Sequence, residues 1–486
     1  MKLRVALLLL LCSSAFAKGP KYAPPTVATP PSWQTPAPWQ QAVPLDSLPK
    51  GAWWEFFGDT ELNQYEQRAL ANNQTLQAAI ARLSEARASA RVTSSGLYPE
   101  LDGGIRATRA RLAGNRPTNG ALIPPRAVTQ NEFTIPFTLN YEIDLFGRVR
   151  HNVEAANADL QASAADLENV RLLVTSELAA DYFQVRELDS EIAVVQKAIT
   201  YQQQALTLVQ NRHTGGAASG LDVAQQQEVL DSSITQLSLL QQQRSQYQHA
   251  LAMLQGLPPA QFVAPVRGLE TQPPALPLIL PSEVLQRRPD IATAERDTAA
   301  ANARIGVARA ALYPSITLGG SGGLDSHAIS DLFNAPSFFW SLGLSALEPV
   351  IAGGRNRAQL EFARSTYQET VAIYRETALT AFQQVEDALS GLTTLAAAYQ
   401  SQQRAVEDAE RSLQLANARY TGGLVTYLDV ITAQEQALTN ERQEVQLLGQ
   451  RMTTSVYLVK AIGGGWDSSS LSAIGIKPSL RQAVQQ

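Results

Sequence analysis

The chain has 486 residues, 45% of them apolar and 17% charged, with one cysteine and a net charge of −5. That length holds two or three ordinary domains or one large one. The mildly acidic balance argues against a general nucleic-acid binder, and a single cysteine excludes an internal disulfide.

Residues 1–17 read as an export signal. Lys2 and Arg4 make the basic start, Val5 to Leu11 a short apolar run, and Ala15-Phe16-Ala17 a small-residue cleavage site. Cys12 lies inside this segment. It is preceded by Leu11, where a lipoprotein signal carries a small residue, so cleavage after Ala17 is favoured over lipidation of Cys12. The mature chain then begins at Lys18, outside the cytoplasm. It has no stretch of about 18 apolar residues, hence no membrane-spanning helix. Residues 18–50 are rich in proline, alanine and threonine and read as an extended, largely unstructured leader.

Helical text opens behind Asp59, placed as an N-cap ahead of Leu62, Tyr65, Ala69 and Leu70. A weak strand follows near 99–113 and a stronger one near 131–146. In the stronger strand every odd position from Phe133 to Leu145 is apolar, with Thr134, Thr138, Asn140, Glu142 and Asp144 between. That alternation makes a two-faced strand. Pro136 removes one ladder donor, which predicts a bulge or a local edge. Residues 148–212 contain neither proline nor glycine, which predicts a very long helix of roughly 100 Å. One heptad runs through Val153, Leu160, Leu167 and Val174, another through Val185, Ile192, Ile199 and Leu206. The step of 11 between them is a stutter that locally unwinds a left-handed supercoil. A second helix completes a hairpin over 148–255.

The same text returns 207 residues later. RHTGGAASGLDV (212–223) matches RYTGGLVTYLDV (419–430) at Arg, Thr, both glycines, Leu, Asp and Val. A second pair of strands is expected near 314–327 and 337–350, the latter with Phe338, Trp340, Leu342, Leu344 and Ala346 in alternation. A second helical hairpin is expected over 355–461. The LYP phrases before each weak strand (97–99 and 312–314) are 215 apart, so the first half holds about eight extra residues, placed in RLAGNRPTNGALIPPRAVTQ. The chain thus reads as a tandem duplication: repeats over 51–265 and 266–465, then a C-terminal tail, 466–486. Both TGG phrases are turns between long antiparallel helices, their paired glycines supplying positive φ. Asp222 and Asp429 lie in the first turn of each returning helix, where the dipole favours an anion, and Thr426 is placed to cap the second.

Strands of ten or more residues cross a bilayer when tilted. Four strands do not close a barrel, and open edges in lipid leave backbone groups unpaired at several kcal/mol each. The chain must therefore pool strands with copies of itself. Three copies give twelve strands, two give eight. The helices carry recurrent Arg, Glu, Asp and Gln, so they stand in water and prolong the barrel as a tube. A rival reading is a structural coiled-coil envelope protein or adhesin without a channel, which has no need of lipid-facing strands.

Four stretches carry a resemblance: LPSEVLQRRPDIATAERDTAAANARIGVARAALYPSITLGGSGG (280–323), YEIDLFGRVR (141–150), ARYTGGLVTYLDVITAQEQAL (418–438) and GPKYAPP (19–25). They are similar to the outer-membrane factors of bacterial efflux and secretion systems, the TolC-like family, in its drug-efflux branch. The resemblance implies a homotrimer: a 12-stranded transmembrane β-barrel in outer-membrane lipid, continued by a 12-helix periplasmic α-barrel. It implies a passive exit duct docked on a periplasmic adaptor and an inner-membrane efflux pump. Carried over by motif, Thr214, Gly215, Gly216, Thr421, Gly422 and Gly423 are the adaptor-contact tips. Leu428 and Asp429 build an aperture ring, with Thr432 where a second acid often follows. Asp222 and Tyr420 form a latch between the hairpins, with Val425 where some relatives have a basic partner. No enzyme constellation and no cofactor motif is present. The four histidines (His151, His213, His249, His327) lack metal-ligand spacing, and GGSGG (319–323) lacks the Lys and Ser/Thr of a phosphate loop.

Overall fold

The computed structural model describes residues 20–34, 51–114, 127–274 and 281–475. The expected signal with Cys12, leader residues 35–50, most of the extra segment between the first two strands and the tail beyond 475 lie outside the described residues. The described helices are α1 (Thr60–Asn72), α2 (Gln74–Ser95), α3 (Arg148–Thr214), α4 (Gly220–Leu254), α5 (Pro281–Arg287), α6 (Pro289–Ala310), α7 (Arg355–Thr421) and α8 (Tyr427–Ala461). The strands are β1 (Glu100–Gly103), β2 (Arg106–Leu112), β3 (Val128–Glu142), β4 (Ser315–Ser326) and β5 (Phe338–Leu347).

α3 and α7 are each 67 residues long, and α4 and α8 are each 35. Both pairs are offset by 207 positions, while α2 and α6, of 22 residues each, are offset by 215. The long helices form because nothing in their text breaks them. They end because glycine follows. Each hairpin turn uses the same bonds: Gly215 N–H to Asn211, Gly216 to His213 and Ala217 to Arg212, repeated as Gly422 to Ala418, Gly423 to Tyr420 and Leu424 to Arg419. Only the second glycine of each pair has positive φ, +74° at Gly216 and +72° at Gly423. Gly215 and Gly422 sit at −79° and −78°, so the expectation that both glycines are conformationally required holds for one of each pair.

The strands form one antiparallel sheet in the order β1/β2–β3–β4–β5, with β1 and β2 both on one side of β3. Pro136 explains that split. Its carbonyl accepts from Gly104 N–H, so in an antiparallel ladder its missing N–H faces the same side. The pairing lapses between Gly103↔Phe137 and Arg106↔Thr134, with no residue inserted. The expected bulge is therefore absent, and a gap in the neighbouring strand takes its place. On the other side Pro136 pairs in register with Gly323, where a Cβ would lie 2.1 Å from the Ile135 carbonyl oxygen.

The main core lies where the middle of α3 meets α1, the ends of α4 and α8 and the middle of α7. It holds Trp53, Trp54, Phe57, Tyr182, Phe183, Leu389 and Met452. The stutter of α3 falls here. Over 174–185 the helix buries Val174, Leu178, Ala179, Tyr182, Phe183 and Val185, more than one stripe, because neighbours cover it on several sides. Asp59 caps α1 through Glu61 and Leu62 N–H and also accepts from the Tyr182 hydroxyl at 2.7 Å. Residues 20–34, the described part of the leader, are docked rather than loose. Tyr22 donates to Glu295, Asn302 donates to the Pro20 carbonyl, Gln34 N–H reaches Glu386, and Trp33 packs edge-on against Phe382. This part straps α6 to α7.

Gly216→Ala should cost the turn about 1 kcal/mol and raise local amide exchange at 212–218 about fivefold. Gly215→Ala, whose Cβ would only touch the Asn211 carbonyl oxygen at 3.5 Å, should leave exchange unchanged. Hydrogen–deuterium exchange of the two variants checks both outcomes.

Candidate functional site

The two turns lie side by side at the far ends of the long helices. Their tips, Thr214-Gly215-Gly216 and Thr421-Gly422-Gly423, are exposed. Thr214 and Thr421 each donate back to the carbonyl four residues earlier, Gln210 and Asn417, so their side chains finish their own helices.

Behind the tips the hairpins are clasped by a small core of Val209, Val229, Tyr420, Tyr427, Val430 and Ile431. The Arg212 guanidinium lies 4.6 Å from the Tyr420 ring centroid, a cation–π contact from the first hairpin to the second. Tyr420 and Tyr427 pack with centroids 4.9 Å apart. The Tyr427 hydroxyl donates to Gln226 Oε1 at 2.6 Å, and Gln226 Nε2 donates to the Gln202 carbonyl at 3.1 Å. Farther up, Asn417 donates to the Tyr201 hydroxyl at 2.6 Å. Burial raises the Tyr420 phenol pKa, Arg212 opposes this and Asp222 adds to it. Asp222 is thus in electrostatic reach of Tyr420. Its carboxylate bonds, however, close a capping box with Ser219: Ser219 N–H donates to Asp222 Oδ2 at 2.8 Å, and Asp222 N–H donates to Ser219 Oγ at 3.2 Å.

Leu428, Asp429 and Thr432 share the exposed face of α8, opposite buried Tyr427, Val430 and Ile431. Thr426 N–H and Oγ1 both donate to Asp429 Oδ2, at 3.0 and 2.7 Å. These bonds, the Thr426 side chain first, hold the Asp429 carboxyl below its ordinary pKa, so it is anionic at neutral pH. Thr432 Oγ1 donates to the Leu428 carbonyl at 2.9 Å and adds no charge.

Arg212, Gln226 and Tyr427 escaped the sequence reading. A signal existed in the mismatches between the copies. Tyr420 stands where the first copy has His213, and Tyr427 where it has Gly220. Two turns that meet face to face need the bulk on one side only.

The YEIDLFGRVR phrase joins sheet to helix. Glu142 pairs with Arg148, and Asp144 Oδ2 accepts from Arg150 N–H at 2.8 Å and from its Nε at 3.1 Å. In the RRPD phrase, Arg288 is buried and donates to Asp290, Gln384 and the Ala461 carbonyl at the end of α8. Both are structural ties.

A two-faced sheet carried on long water-exposed helices defines a channel subunit of the bacterial outer membrane. The family model described as outer membrane efflux protein matches residues 66–257 and 280–464. The chain is 36% identical over 417 residues to the pyoverdine export outer membrane protein OpmQ of Pseudomonas aeruginosa, covering 86% of this chain and 88% of that one. It is 31% identical over 425 residues to the cation efflux system protein CusC of Escherichia coli O157:H7, with 87% and 90% covered. Among solved structures it superposes on the outer-membrane channel OprN with a TM-score of 0.85 at 27% identity, covering 93% of this chain and 99% of that chain. The chain belongs to the outer membrane efflux protein family. It is an outer-membrane channel component of an efflux system, and the conduit reading stands over the scaffold one.

Tyr427→Phe should leave the fully buried Gln226 Oε1 unpaired and weaken the clasp by about 1–3 kcal/mol. Amide exchange at 205–230 and 416–434 should accelerate together. Leu428→Ala, on the exposed face, should leave both segments unchanged.

Proposed function

We propose that three copies close a 12-stranded barrel and a 12-helix periplasmic tube, and that the chain arose by tandem duplication of a unit now at 51–265 and 266–465. The observation that carries this is the register of apolar rows on one face of the sheet. Leu101, Leu139, Gly320 and Leu342 pair in one row, and Gly103, Phe137, Gly322 and Trp340 in the next. Tyr141, Leu318 and Leu344 pair below them. Trp340, Leu342 and Leu344 are 65–73% exposed in the single chain. Phe133 to Glu142 covers roughly 30 Å of strand, the length a tilted barrel strand needs. Arg109 and Arg111 lie farther along the same face of β2, beyond Ala107, and end the apolar band. The β5 edge and the β1/β2 edge have no partner among the described strands, and a neighbouring copy supplies one.

The middle of the other face is small and polar, with Thr138, Asn140, Gly319, Ser321, Ser341 and Gly343, and Phe339 and Leu347 flank it. Such a wall offers cargo little to grip. Relatives named for pyoverdine, toluene and cation export are similar to this chain over comparable lengths, which supports a duct that leaves selection to its pump. The duct passes small molecules passively from an inner-membrane pump and a periplasmic adaptor to the exterior. The adaptor meets the tips at Thr214-Gly215-Gly216 and Thr421-Gly422-Gly423. The hairpins are held by the Asp222–Tyr420 region, with Arg212 supplying the cation where Val425 does not. Leu428, Asp429 and Thr432 line the aperture, each contributed three times.

Conductance across planar bilayers tests this reading. The wild type should conduct as discrete channels blocked by multivalent cations, because three anionic Asp429 carboxylates focus negative potential at the mouth. Asp429→Ala should weaken that block at least several-fold. A chain that never conducts refutes the duct, and unchanged block in Asp429→Ala removes that residue from the aperture.

The faces can be tested separately. Leu342→Lys puts a charge toward hydrocarbon at a cost of about 2–4 kcal/mol and should abolish assembled, detergent-resistant protein in outer-membrane extracts. Ser341→Lys, one residue away on the inner face, should assemble normally.

A further inference from the structure

The end of the sheet farthest from the helices carries a basic pair that the strands around it do not neutralise. β3 runs from Val128 to Glu142 and the chain continues into α3, so the Val128 end points away from the periplasmic helices. Two rows stand there beyond Ala107↔Phe133: Arg109↔Asn131 and Arg111↔Thr129. Residues two apart on a strand share a face, so these four lie on the face of Phe133, Ile135 and Phe137. All four are exposed. None of them has a side-chain hydrogen bond or ion pair among the described residues. The carboxylates of the strands at this end take the opposite face: Glu132 pairs with Thr108, and Asp325 with Thr134, itself the partner of Arg106. Arg106 thus has acidic company on the inner face, while Arg109 and Arg111 have no strand carboxylate on theirs.

Directly below them the face is apolar. Ala107 and Phe133 pair in one row, and Ile135, Leu324 and Phe338 in the next. Successive rows of one face are about 7 Å apart along the strand, so the guanidiniums begin one row above the apolar band. A cation on a lipid-facing surface costs stability according to its depth, and an anion from the headgroup layer removes that cost. Two guanidiniums about 7 Å apart, each a fork of parallel N–H donors, match the two charges of one phosphomonoester. Asn131 and Thr129, about 5 Å away across the ladder, add an amide and a hydroxyl donor. The set calls for a ligand with a dianionic phosphate above and acyl chains below.

We propose that Arg109, Arg111, Asn131 and Thr129 bind the phosphomonoester of an outer-leaflet glycolipid, whose acyl chains lie on Phe133 and Ile135. The outer leaflet of an outer membrane is built of glycolipids with phosphorylated headgroup sugars, and this is the height at which those phosphates stand. A phospholipid offers only a singly charged diester and leaves one guanidinium unmatched. A free phosphate makes no use of the apolar rows. The binding rests on the apolar face meeting lipid, as proposed above, and on no particular number of copies, because β2 and β3 belong to one chain. β2 is an edge of the described sheet, so the lipid sits beside the seam at which the next copy joins.

The test is native mass spectrometry of the full chain in detergent, titrated with lipid A bearing two phosphomonoesters. The wild type should retain this lipid. The same lipid with both phosphates removed, and phosphatidylglycerol, should each bind at least about tenfold more weakly. Arg109→Gln and Arg111→Gln should each weaken retention about tenfold, and Arg109→Lys, which keeps the charge and loses the fork, should fall between. Arg106→Gln removes the same charge from the inner face and should change nothing. The spectra also count the copies, so an assembly other than a trimer refutes closure and still reports lipid binding, while Leu342→Lys and Ser341→Lys report separately on which face meets lipid. No retention of lipid A by the wild type overturns the proposal. So does equal retention by Arg109→Gln and Arg111→Gln, equal binding of the phosphate-free lipid or of phosphatidylglycerol, or displacement of lipid A by inorganic phosphate at the same concentration.

Discussion

A backbone N–H or C=O cannot face hydrocarbon unpaired, and every larger feature of this chain follows from that. The described sheet has an apolar face matched row by row across its strands, yet it ends in two bare edges. In water such edges invite aggregation; in lipid each unpaired group costs several kcal/mol. The proposed closure solves the problem by symmetry, each copy lending its β5 edge to the next. Closure then fixes the rest. In the proposed assembly, strands arranged in a ring require helices arranged in a ring, which carry charge because they stand in water. Even the glycines of β4 fit this account. Gly323 lets the Ile135–Pro136 backbone approach more closely than any Cβ allows, so a proline survives within a barrel strand and the ladder lapses only toward β1 and β2.

The two halves are alike in length and differ where they touch. Helices of 67 and 35 residues recur at the same spacing, and the turns share their hydrogen bonds. A strictly repeated turn would set identical surfaces against each other. Instead the second copy carries Tyr420 and Tyr427, and the first carries Gln226 and a small Gly220, while Arg212 is matched by Arg419. The contact between hairpins therefore depends on Tyr420, Tyr427 and Gln226, which broke the repeat, with the matched Arg212 as their partner. It is also narrow. One cation–π pair, the Tyr427–Gln226 and Asn417–Tyr201 bonds and a small apolar core hold the ends together, while the roots of the hairpins are fixed in the large core around Trp53 and Tyr182. Such a distribution leaves the tips as the part of the molecule with the least to lose by moving.

Much of the fold was legible because its signals are local. Sixty-five residues without proline or glycine specify a long helix, and alternation from Phe133 to Leu145 fixes which face each side chain takes. Asp59 and the TGG turns announced their ends by capping chemistry. The features that escaped depend on partners distant in sequence. The effect of Pro136 was foreseen, but its side of the ladder depends on which strand its carbonyl meets. The proline-rich leader looked unstructured by composition, and its described residues, 20–34, are held by Tyr22, Gln34 and Trp33 finding α6 and α7. Arg288 reads as a helix-start residue, yet it ties down the last carbonyl of α8. Asp429 was placed in the first turn of α8, where it lies, but its bond to Thr426 is a matter of geometry at the turn.

The most direct test of closure by copies is electron cryo-microscopy of the chain in lipid nanodiscs. Three-fold symmetric particles are expected, with twelve strands in one closed ring and each β5 paired to the β1/β2 edge of the next copy. Single chains carrying an open four-strand sheet, or a ring with any other number of copies, would contradict it.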